Sequence, residues 1–254
     1  MDAQLSRDGL TDTPPPYRTV VFDCDSTLCA LEGIDELAGG HAQAIAALTA
    51  RAMSGELPLE AVYRLRLEQI RPSRAAVEAL GEAYVRALVP GARELVAALR
   101  FLGKRVRILS GGLAPAVERV GVELGLPAEH VTAVAIRFDE AGRYAGFDES
   151  SPLARSGGKC IPVRAWLDAG EDPLCLVGDG ITDLEVAQAL PLARFIGYGG
   201  VAAREAVLSR ARVAVREPDL RALAPWLLSA RDRRILSRSK THRDWTASLP
   251  PSPS

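Results

Sequence analysis

Two aspartates separated by one residue, Asp23 and Asp25, directly follow a short apolar run at residues 17–22. Carboxylates held this close repel each other unless a cation or a proton relieves the repulsion. A hard divalent ion with oxygen ligands would do so, and Mg²⁺ accepts a few carboxylates while keeping positions for water and substrate oxygens. The pair therefore indicates a magnesium site, and no histidine or cysteine is spaced to offer zinc a softer set of ligands.

Further polar residues follow other apolar runs of the chain. Ser110 and Gly111 follow one such run, Asp179 follows another, and Lys159 begins the helix before the latter. Ligands of an open parallel sheet bind beyond the carboxyl ends of its strands. The sequence therefore predicts that these residues meet the two aspartates in one crevice, where Asp179 adds an oxygen to the metal site.

Such a crevice suits a phosphate monoester. A carboxylate nucleophile must be shielded from the dianionic substrate, and the metal with Lys159 would provide that shielding. Attack by Asp23 would form an aspartyl-phosphate, which divides one difficult displacement into two easier ones. Asp25 is the available acid to protonate the leaving alkoxide and then to activate water. Backbone N–H groups at Ser110 and Gly111 could hold the phosphate oxygens.

The elements that must position these residues alternate along the chain. Apolar runs predict strands at residues 17–22, 106–109, 174–177, 194–196 and 212–215. Helical spacing predicts helices at residues 91–102, 114–124, 161–167 and 183–190. The alternation predicts an α/β fold, a doubly wound and mainly parallel sheet of about five strands. Residues 131–147 predict an antiparallel hairpin at the edge of the domain.

One block interrupts the alternation, because it shows only helical patterns. We interpret residues 31–89 as a small inserted helical cap, and residues 17–30 with 90–229 as the α/β core. The polar segment 1–16, which ends in three prolines, predicts a disordered tail. Residues 230–254, rich in arginine and lysine, predict a flexible C-terminal tail.

Composition limits the function classes. The 254 residues carry 31 Lys and Arg against 32 Asp and Glu, a formal net charge of −1, which argues against a dedicated nucleic-acid binder. No segment approaches the length of a transmembrane helix, and the N-terminus has no apolar stretch of the signal-peptide kind. The cysteines, among them Cys24 and Cys175 in apolar runs, are interpreted as free thiols. A cytoplasmic enzyme without membrane or nucleic-acid partners is expected, and a homodimer is left open.

Four motifs in order resemble the haloacid dehalogenase superfamily of phosphatases. They are VVFDCDST around Asp23, LSGG with Ser110 and Gly111, SGGK ending at Lys159, and GDGITD with Asp179 and Asp183. A single one of these would recur by chance, whereas the ordered set is specific. The resemblance implies a Rossmann-like core of this superfamily, in which Asp23, Asp179 and the backbone carbonyl of Asp25 bind the metal. It implies that Asp183 orients a water on the metal.

The match is closer still to the phosphoserine phosphatase family, over about residues 18–225. LEGIDELA, RAMSG and YRLRLEQIRPS resemble that family's cap. The substrate-binding residues implied by the resemblance are Glu32 for the ammonium, Arg66 for the carboxylate, and Met53, Gly55 and Thr182. It thus implies Mg²⁺-dependent hydrolysis of O-phospho-L-serine, the last step of serine biosynthesis.

Three positions, Leu59, Arg155 and Cys160, depart from the family pattern and leave the substrate preference open. The alternatives are a phosphatase or phosphotransferase for another small monoester, such as phosphohomoserine or phosphothreonine, and a non-enzymatic binder of a phospho-ligand.

Overall fold

The structure of the protein, a computed structural model, describes residues 17–53 and 57–251, without the side chains of residues 46 and 49–53. The strands in these ranges are β1 (Thr19–Phe22), β2 (Arg105–Leu113), β3 (Val131–Val134), β4 (Ile136–Phe138), β5 (Tyr144–Phe147), β6 (Leu174–Gly178), β7 (Ala193–Tyr198) and β8 (Val213–Val215). Six of them form one sheet in the order β3-β2-β1-β6-β7-β8, and every neighbouring pair is parallel. The other two, β4 and β5, form an antiparallel hairpin.

Strand β1 lies in the middle of the sheet, between β2 and β6. Val20, Val21 and Phe22 are fully buried, because helices cover both faces of a doubly wound sheet and an uninterrupted apolar run suits such a strand. The chain order reverses at β1, since β2 and β3 lie on one side of it and β6 to β8 on the other. Ligands of this fold bind at such a switch point. The predicted fold class is confirmed, and the loop after β1 lies where a ligand is expected.

The edge segment at residues 131–147 corrects the sequence prediction. We expected one antiparallel hairpin, but its first part is β3, which pairs in parallel with β2 and adds a sixth strand. Strand β2 is longer than the predicted run. The backbone N–H and C=O groups on its outer edge need partners, and β3 supplies them. Only residues 136–147 form the hairpin, with Ile136 opposite Phe147.

Helices flank the sheet and also fill the insertion between β1 and β2. The α-helices of the described ranges are α1 (Gly33–Glu36), α2 (Ala42–Met53), α3 (Leu59–Ile70), α4 (Arg74–Arg86), α5 (Ala92–Phe101), α6 (Ala114–Glu123), α7 (Cys160–Asp168), α8 (Ile181–Ala189), α9 (Glu205–Leu208), α10 (Ala224–Leu227), α11 (Ala230–Arg238) and α12 (Arg243–Ala247). The helices α1 to α4 lie within the predicted cap at residues 31–89, and that boundary stays a prediction.

Helix α4 packs against one of the helices that flank the sheet. It packs closely on α6, and a Cβ added to Gly81 would lie 3.0 Å from the Cβ of Arg119 and 3.3 Å from the Cα of Ala116. Ser73 caps the N-terminus of the helix, because its hydroxyl accepts the N–H of Ala76 at 3.2 Å. The last helix of the insertion is therefore tied to the core.

The C-terminal segment also corrects a prediction. We expected residues 230–254 to form a flexible tail, but the described part contains α11 and α12, and Leu236 is fully buried. The ammonium of Lys104 lies 3.1 Å from the carboxylate of Asp232 and donates to the Tyr17 carbonyl oxygen at 2.9 Å. Leu236 lies among charged residues in the sequence, so the sequence pattern did not indicate that this side chain is buried. The predicted N-terminal tail, residues 1–16, lies outside the described residues.

The four cysteines are free, and Cys24 and Cys175 are buried, as the sequence predicted. Among the described residues, the helices lack the combination of length and apolar character that crossing a bilayer requires.

Candidate active site

The loop after β1 holds its two aspartates in a fixed geometry. The backbone N–H of Asp23 donates to the Val177 carbonyl oxygen on β6 at 2.9 Å. The carbonyl oxygen of Cys24 accepts the N–H groups of Leu28 and Cys29, each at 3.0 Å, and so closes a tight turn. The loop therefore cannot move without breaking contacts on both sides.

An acidic cluster forms where β1 and β6 end. Carboxylate oxygens of Asp23, Asp179 and Asp183 all lie within 4.8 Å of one another, and the three residues are buried. The ammonium of Lys159 lies 2.9 Å from Asp23 Oδ2 and 2.7 Å from Asp183 Oδ1. The predicted nucleophile and the predicted phosphate-binding lysine are thus in direct contact.

The pKa values of this cluster follow from burial and charge. Burial alone lowers the pKa of Lys159, but the Asp183 and Asp23 carboxylates outweigh it and hold that pKa above its usual range. Burial and the charge of Asp23 raise the pKa of Asp183 to about 7, although Lys159 opposes the shift. The lysine is therefore a fixed positive charge within a cluster that carries excess negative charge.

This donor set fits a hard divalent cation. Its ligand atoms are carboxylate oxygens, the type that Mg²⁺ prefers. Both oxygens of Asp183 already accept hydrogen bonds, from Lys159 at 2.7 Å and from the Gly180 N–H at 3.1 Å. Asp179 Oδ1 accepts the Thr27 hydroxyl at 3.0 Å, whereas its buried Oδ2 is in contact with the Arg204 guanidinium. Oδ2 therefore already pairs with a positive charge, as it would with a bound cation.

Asp25 has a different environment from Asp23. Its Oδ1 accepts the Gly33 N–H at 2.8 Å and a short hydrogen bond from the Tyr84 hydroxyl. Burial raises the pKa of Asp25 to about 7, the charges of Asp23 and Glu32 add to the rise, and the two hydrogen bonds oppose it. A carboxyl group with this pKa can hold and release a proton near neutral pH.

The end of β2, predicted to bind the phosphate, lies beside Asp25. Ser110 is fully buried, and its Oγ accepts the Gly112 N–H at 2.9 Å. A Cβ added to Gly112 would lie 3.2 Å from Asp25 Oδ2 and 3.1 Å from Ser110 Oγ. Asp25 Oδ2 therefore points at this turn. The Tyr63 hydroxyl, which comes from α3, donates to the Gly111 carbonyl oxygen at 2.9 Å.

Glu32 lies beside the loop that follows β1. Its Oε1 accepts the Ser26 hydroxyl at 2.7 Å and an N–H of Arg204 at 2.6 Å. The Arg204 guanidinium also contacts the carboxylate of Asp179. The structure thus brings the residue predicted for the substrate ammonium to the acidic cluster, through an arginine that the sequence analysis did not include.

The structure describes two of the remaining predicted substrate residues, Arg66 and Thr182, but of the other two only the backbone of Met53. Arg66 on α3 contacts the Asp35 carboxylate, and its Nε has no hydrogen-bond partner among the described residues. Thr182 lies in the first turn of α8, and a Cβ added to Gly180 would lie 3.5 Å from its Oγ1. Met53 ends α2, but its side chain and the whole of Gly55 lie outside the described residues.

Sequence reasoning missed several residues of this site. Thr27 belongs to the first motif, so its contact with Asp179 was accessible from the pattern. Arg204 follows the FIGYGG run, which gave no reason to single out one arginine. Tyr63 and Tyr84 reach the crevice from helices of the insertion, and the sequence carries no signal for either contact.

Comparisons with known proteins give one matching family model and several similar phosphatases. The family model of haloacid dehalogenase-like hydrolases matches residues 20–188. Human phosphoserine phosphatase is 40% identical over 196 residues, which cover 76% of this chain and 86% of the human protein. The chloroplastic phosphoserine phosphatase of Arabidopsis thaliana is 41% identical over 196 residues, 76% of this chain and 66% of that protein. A solved complex of substrate-bound phosphoserine phosphatase is similar with a TM-score of 0.69 at 25% identity, over 84% of this chain and 100% of that one.

Proposed function

The chain belongs to the phosphoserine phosphatases of the haloacid dehalogenase-like hydrolase family, and we propose that it hydrolyses O-phospho-L-serine to L-serine and phosphate through an aspartyl-phosphate on Asp23. The observation that carries the proposal is the contact between Asp23 and Lys159 at 2.9 Å, beside an Asp25 whose pKa is raised to about 7. Attack on phosphorus needs an ionised carboxylate, and the leaving group needs a protonated acid. The two neighbouring aspartates have environments that suit these two roles.

In the first half-reaction, an oxygen of Asp23 attacks the phosphorus atom. The bond between phosphorus and the serine oxygen breaks, and its electron pair goes to that oxygen, which takes the proton of Asp25. The Lys159 ammonium, 2.9 Å from Asp23 Oδ2, offsets charge on the phosphoryl oxygens as they pass to the nucleophile. L-serine leaves, Asp25 is a carboxylate, and the phosphoryl group stays on Asp23.

In the second half-reaction, Asp25 acts as a base. It takes a proton from water while the water oxygen attacks the phosphorus atom of the aspartyl-phosphate. The bond between phosphorus and the Asp23 oxygen breaks, which returns Asp23 as a carboxylate and releases phosphate. Asp25 is then protonated again and ready for the next substrate.

We further propose that the cation is Mg²⁺, with Asp23, Asp179 and the backbone carbonyl of Asp25 as its protein ligands. When bound, Mg²⁺ neutralises part of the negative charge that the carboxylates and the substrate dianion bring together. The hydrogen bonds of Asp183 to Lys159 and to the Gly180 N–H hold it in place to orient a water of the ion.

Substrate recognition is proposed to use opposite charges for the two ends of an amino acid. Glu32, next to Ser26 in the catalytic loop, pairs with the ammonium group. Arg66 binds the carboxylate with two parallel hydrogen bonds, the geometry that guanidinium favours. Ser110 and the Gly111 backbone hold the phosphate. The roles of Met53, Gly55 and Thr182 in the pocket stay predictions, as do a cytoplasmic location, a homodimer and a place as the last step of serine biosynthesis.

The test is a substrate profile of the purified protein. Phosphate release is measured with O-phospho-L-serine, phosphothreonine, phosphohomoserine and a neutral sugar phosphate, each with Mg²⁺ and with a chelator. We expect the highest kcat/KM for phosphoserine and loss of activity with the chelator. A large preference for the sugar phosphate would refute the Glu32 and Arg66 assignments, and no release from any substrate would favour a non-enzymatic binder.

A further inference from the structure

Asp25 Oδ1 receives two hydrogen bonds, from the Gly33 N–H at 2.8 Å and from the hydroxyl of Tyr84. We propose that Tyr84 is a positioning residue which, together with that N–H group, keeps the proton of Asp25 on Oδ2, the oxygen that points at the phosphate turn. The inference rests on the proposed function, because it assigns a task in the proton transfer of that same reaction.

The hydroxyl of Tyr84 is positioned by helix α4 and not by the loop after β1 that carries Asp25. Tyr84 belongs to α4 and is fully buried, so its ring cannot turn away into solvent. Helix α4 packs directly on α6, as the close approach of Gly81 to Ala116 shows. The donor is therefore placed by the core packing and does not depend on the conformation of the loop that carries Asp25.

Gly33 makes room for this arrangement. A Cβ at residue 33 would overlap the hydroxyl oxygen of Tyr84 and would lie 2.9 Å from its Cζ. Real Cβ atoms do not approach other atoms so closely, because the overlap is strongly repulsive. The glycine thus lets the Tyr84 hydroxyl and its own N–H reach the same oxygen of Asp25.

The two donors decide which oxygen carries the proton. A carboxylic acid has one carbonyl oxygen, which accepts hydrogen bonds, and one hydroxyl oxygen, which donates. Two donors on Oδ1 favour the form in which Oδ1 is the carbonyl oxygen and Oδ2 carries the proton. Oδ2 lies 3.2 Å from the position of a Cβ on Gly112, so it faces the turn where the phosphate is expected. The proton is then directed at the leaving oxygen.

The test measures how rates depend on the leaving group. Wild type and Tyr84→Phe are compared on phosphate monoesters of 4-nitrophenol, phenol and an aliphatic alcohol, with Mg²⁺ in excess. A 4-nitrophenolate ion leaves without protonation, whereas an alkoxide does not. We expect kcat/KM of Y84F to fall by about tenfold or more for the alkyl ester and by less than about twofold for the nitrophenyl ester.

This readout separates positioning from a structural role. Partial unfolding of Y84F would lower kcat/KM by the same factor for all three esters, and such parallel losses would overturn the proposal. Tyr63→Phe is the matched control, because it removes a buried hydroxyl that bonds Gly111 and not Asp25; its losses should be equal across the series. Gly33→Ala, which displaces the Tyr84 hydroxyl by another route, should reproduce the unequal losses of Y84F, and equal losses would again count against the inference.

A wrong substrate assignment can be distinguished from a wrong role for Tyr84. If the wild type hydrolyses the aryl esters and not phosphoserine, the proposed substrate is wrong, while the comparison across leaving groups still decides the role of Tyr84. A wild type that hydrolyses no phosphate monoester would overturn both.

Discussion

The guanidinium of Arg204 donates a hydrogen bond of 2.6 Å to the carboxylate of Glu32, 172 positions earlier in the chain. The same guanidinium contacts the carboxylate of Asp179. One cation therefore joins the residue proposed for the substrate ammonium to a residue proposed for the metal. Any cation that binds to either carboxylate must act against this positive charge or displace it.

Replacement of Arg204 by alanine should tighten Mg²⁺ binding in the absence of substrate. Removal of a positive charge beside Asp179 makes the acidic cluster more attractive to a divalent ion. Since the Arg204 side chain is 42% exposed, solvent screens the effect, and we expect a gain of about 1 kcal/mol, or roughly fivefold in Kd. Isothermal titration calorimetry with Mg²⁺ measures it directly.

Arg216→Ala is the matched control for that experiment. Arg216 is an exposed arginine that pairs with Glu205 at 2.5 Å, and the pair contacts none of the three clustered aspartates. Its loss should leave the Mg²⁺ affinity unchanged. Unchanged or weaker binding in R204A would show that the guanidinium does not compete with the ion.

Asp23→Asn should abolish turnover and leave the fold intact. The amide cannot attack phosphorus, so we expect kcat to fall by about 10⁴-fold or more. The fold should persist because Lys159 keeps Asp183 as a partner at 2.7 Å. Phosphate release measures the turnover, and thermal unfolding measures the stability. Asp244→Asn makes the same substitution at a side chain that is 90% exposed, and it should change neither. Turnover at the wild-type rate in D23N would end the nucleophile assignment.

Much of the site could be predicted because it follows from the sheet. Asp23 and Asp179 directly follow neighbouring strands, and parallel strands bring their carboxyl ends to one edge. The resemblance of the ordered motifs to the haloacid dehalogenase superfamily and to phosphoserine phosphatases is confirmed. Lys159, predicted for the phosphate, lies in contact with Asp23. Its role stays a prediction, but its position beside the aspartates was expected from the motifs alone.

The parts that could not be predicted depend on packing between distant segments. Tyr84 reaches Asp25 because α4 packs on α6, and no periodicity in the sequence specifies that contact. The sequence predicts β3 as half of a hairpin, because a short apolar run fits either a parallel or an antiparallel edge. The C-terminal helices were missed because a few buried side chains such as Leu236 are surrounded by charged residues.

Arg66→Ala should raise KM for phosphoserine far more than for an aryl phosphate. Only phosphoserine has a carboxylate for the guanidinium to bind, and loss of such a charged pair costs about 1.5–3 kcal/mol, or roughly ten- to one-hundredfold. Steady-state kinetics on both substrates give the comparison. Arg64→Ala, on the same helix but half exposed and 3.8 Å from Glu149, is the control and should change neither KM. Equal increases for both substrates in R66A would contradict a carboxylate contact.

Asp25 should make the stability of the metal-free protein depend on pH. Burial, with the charges of Asp23 and Glu32, raises its pKa from 3.8 to about 7 in the folded protein, and unfolding removes these influences. Between these two values the folded state holds a proton that the unfolded state has lost. The contribution of this group is therefore complete below about pH 4 and is lost as the pH rises through about 7, at up to ~1.4 kcal/mol per pH unit.

Asp25→Asn isolates this effect, since asparagine is neutral at every pH. With a chelator present, urea unfolding at several values from about pH 5 to pH 8 should show D25N gaining stability relative to wild type up to about pH 7, after which the difference levels off. Asp183, whose pKa is also raised to about 7, is present in both proteins, so its titration largely cancels in the difference. Asp244→Asn should give a difference that is flat over the same range, because that side chain is 90% exposed. A flat difference for D25N as well would mean that Asp25 is ionised in the folded protein throughout, and its assignment as the acid of the first half-reaction would lose its physical basis.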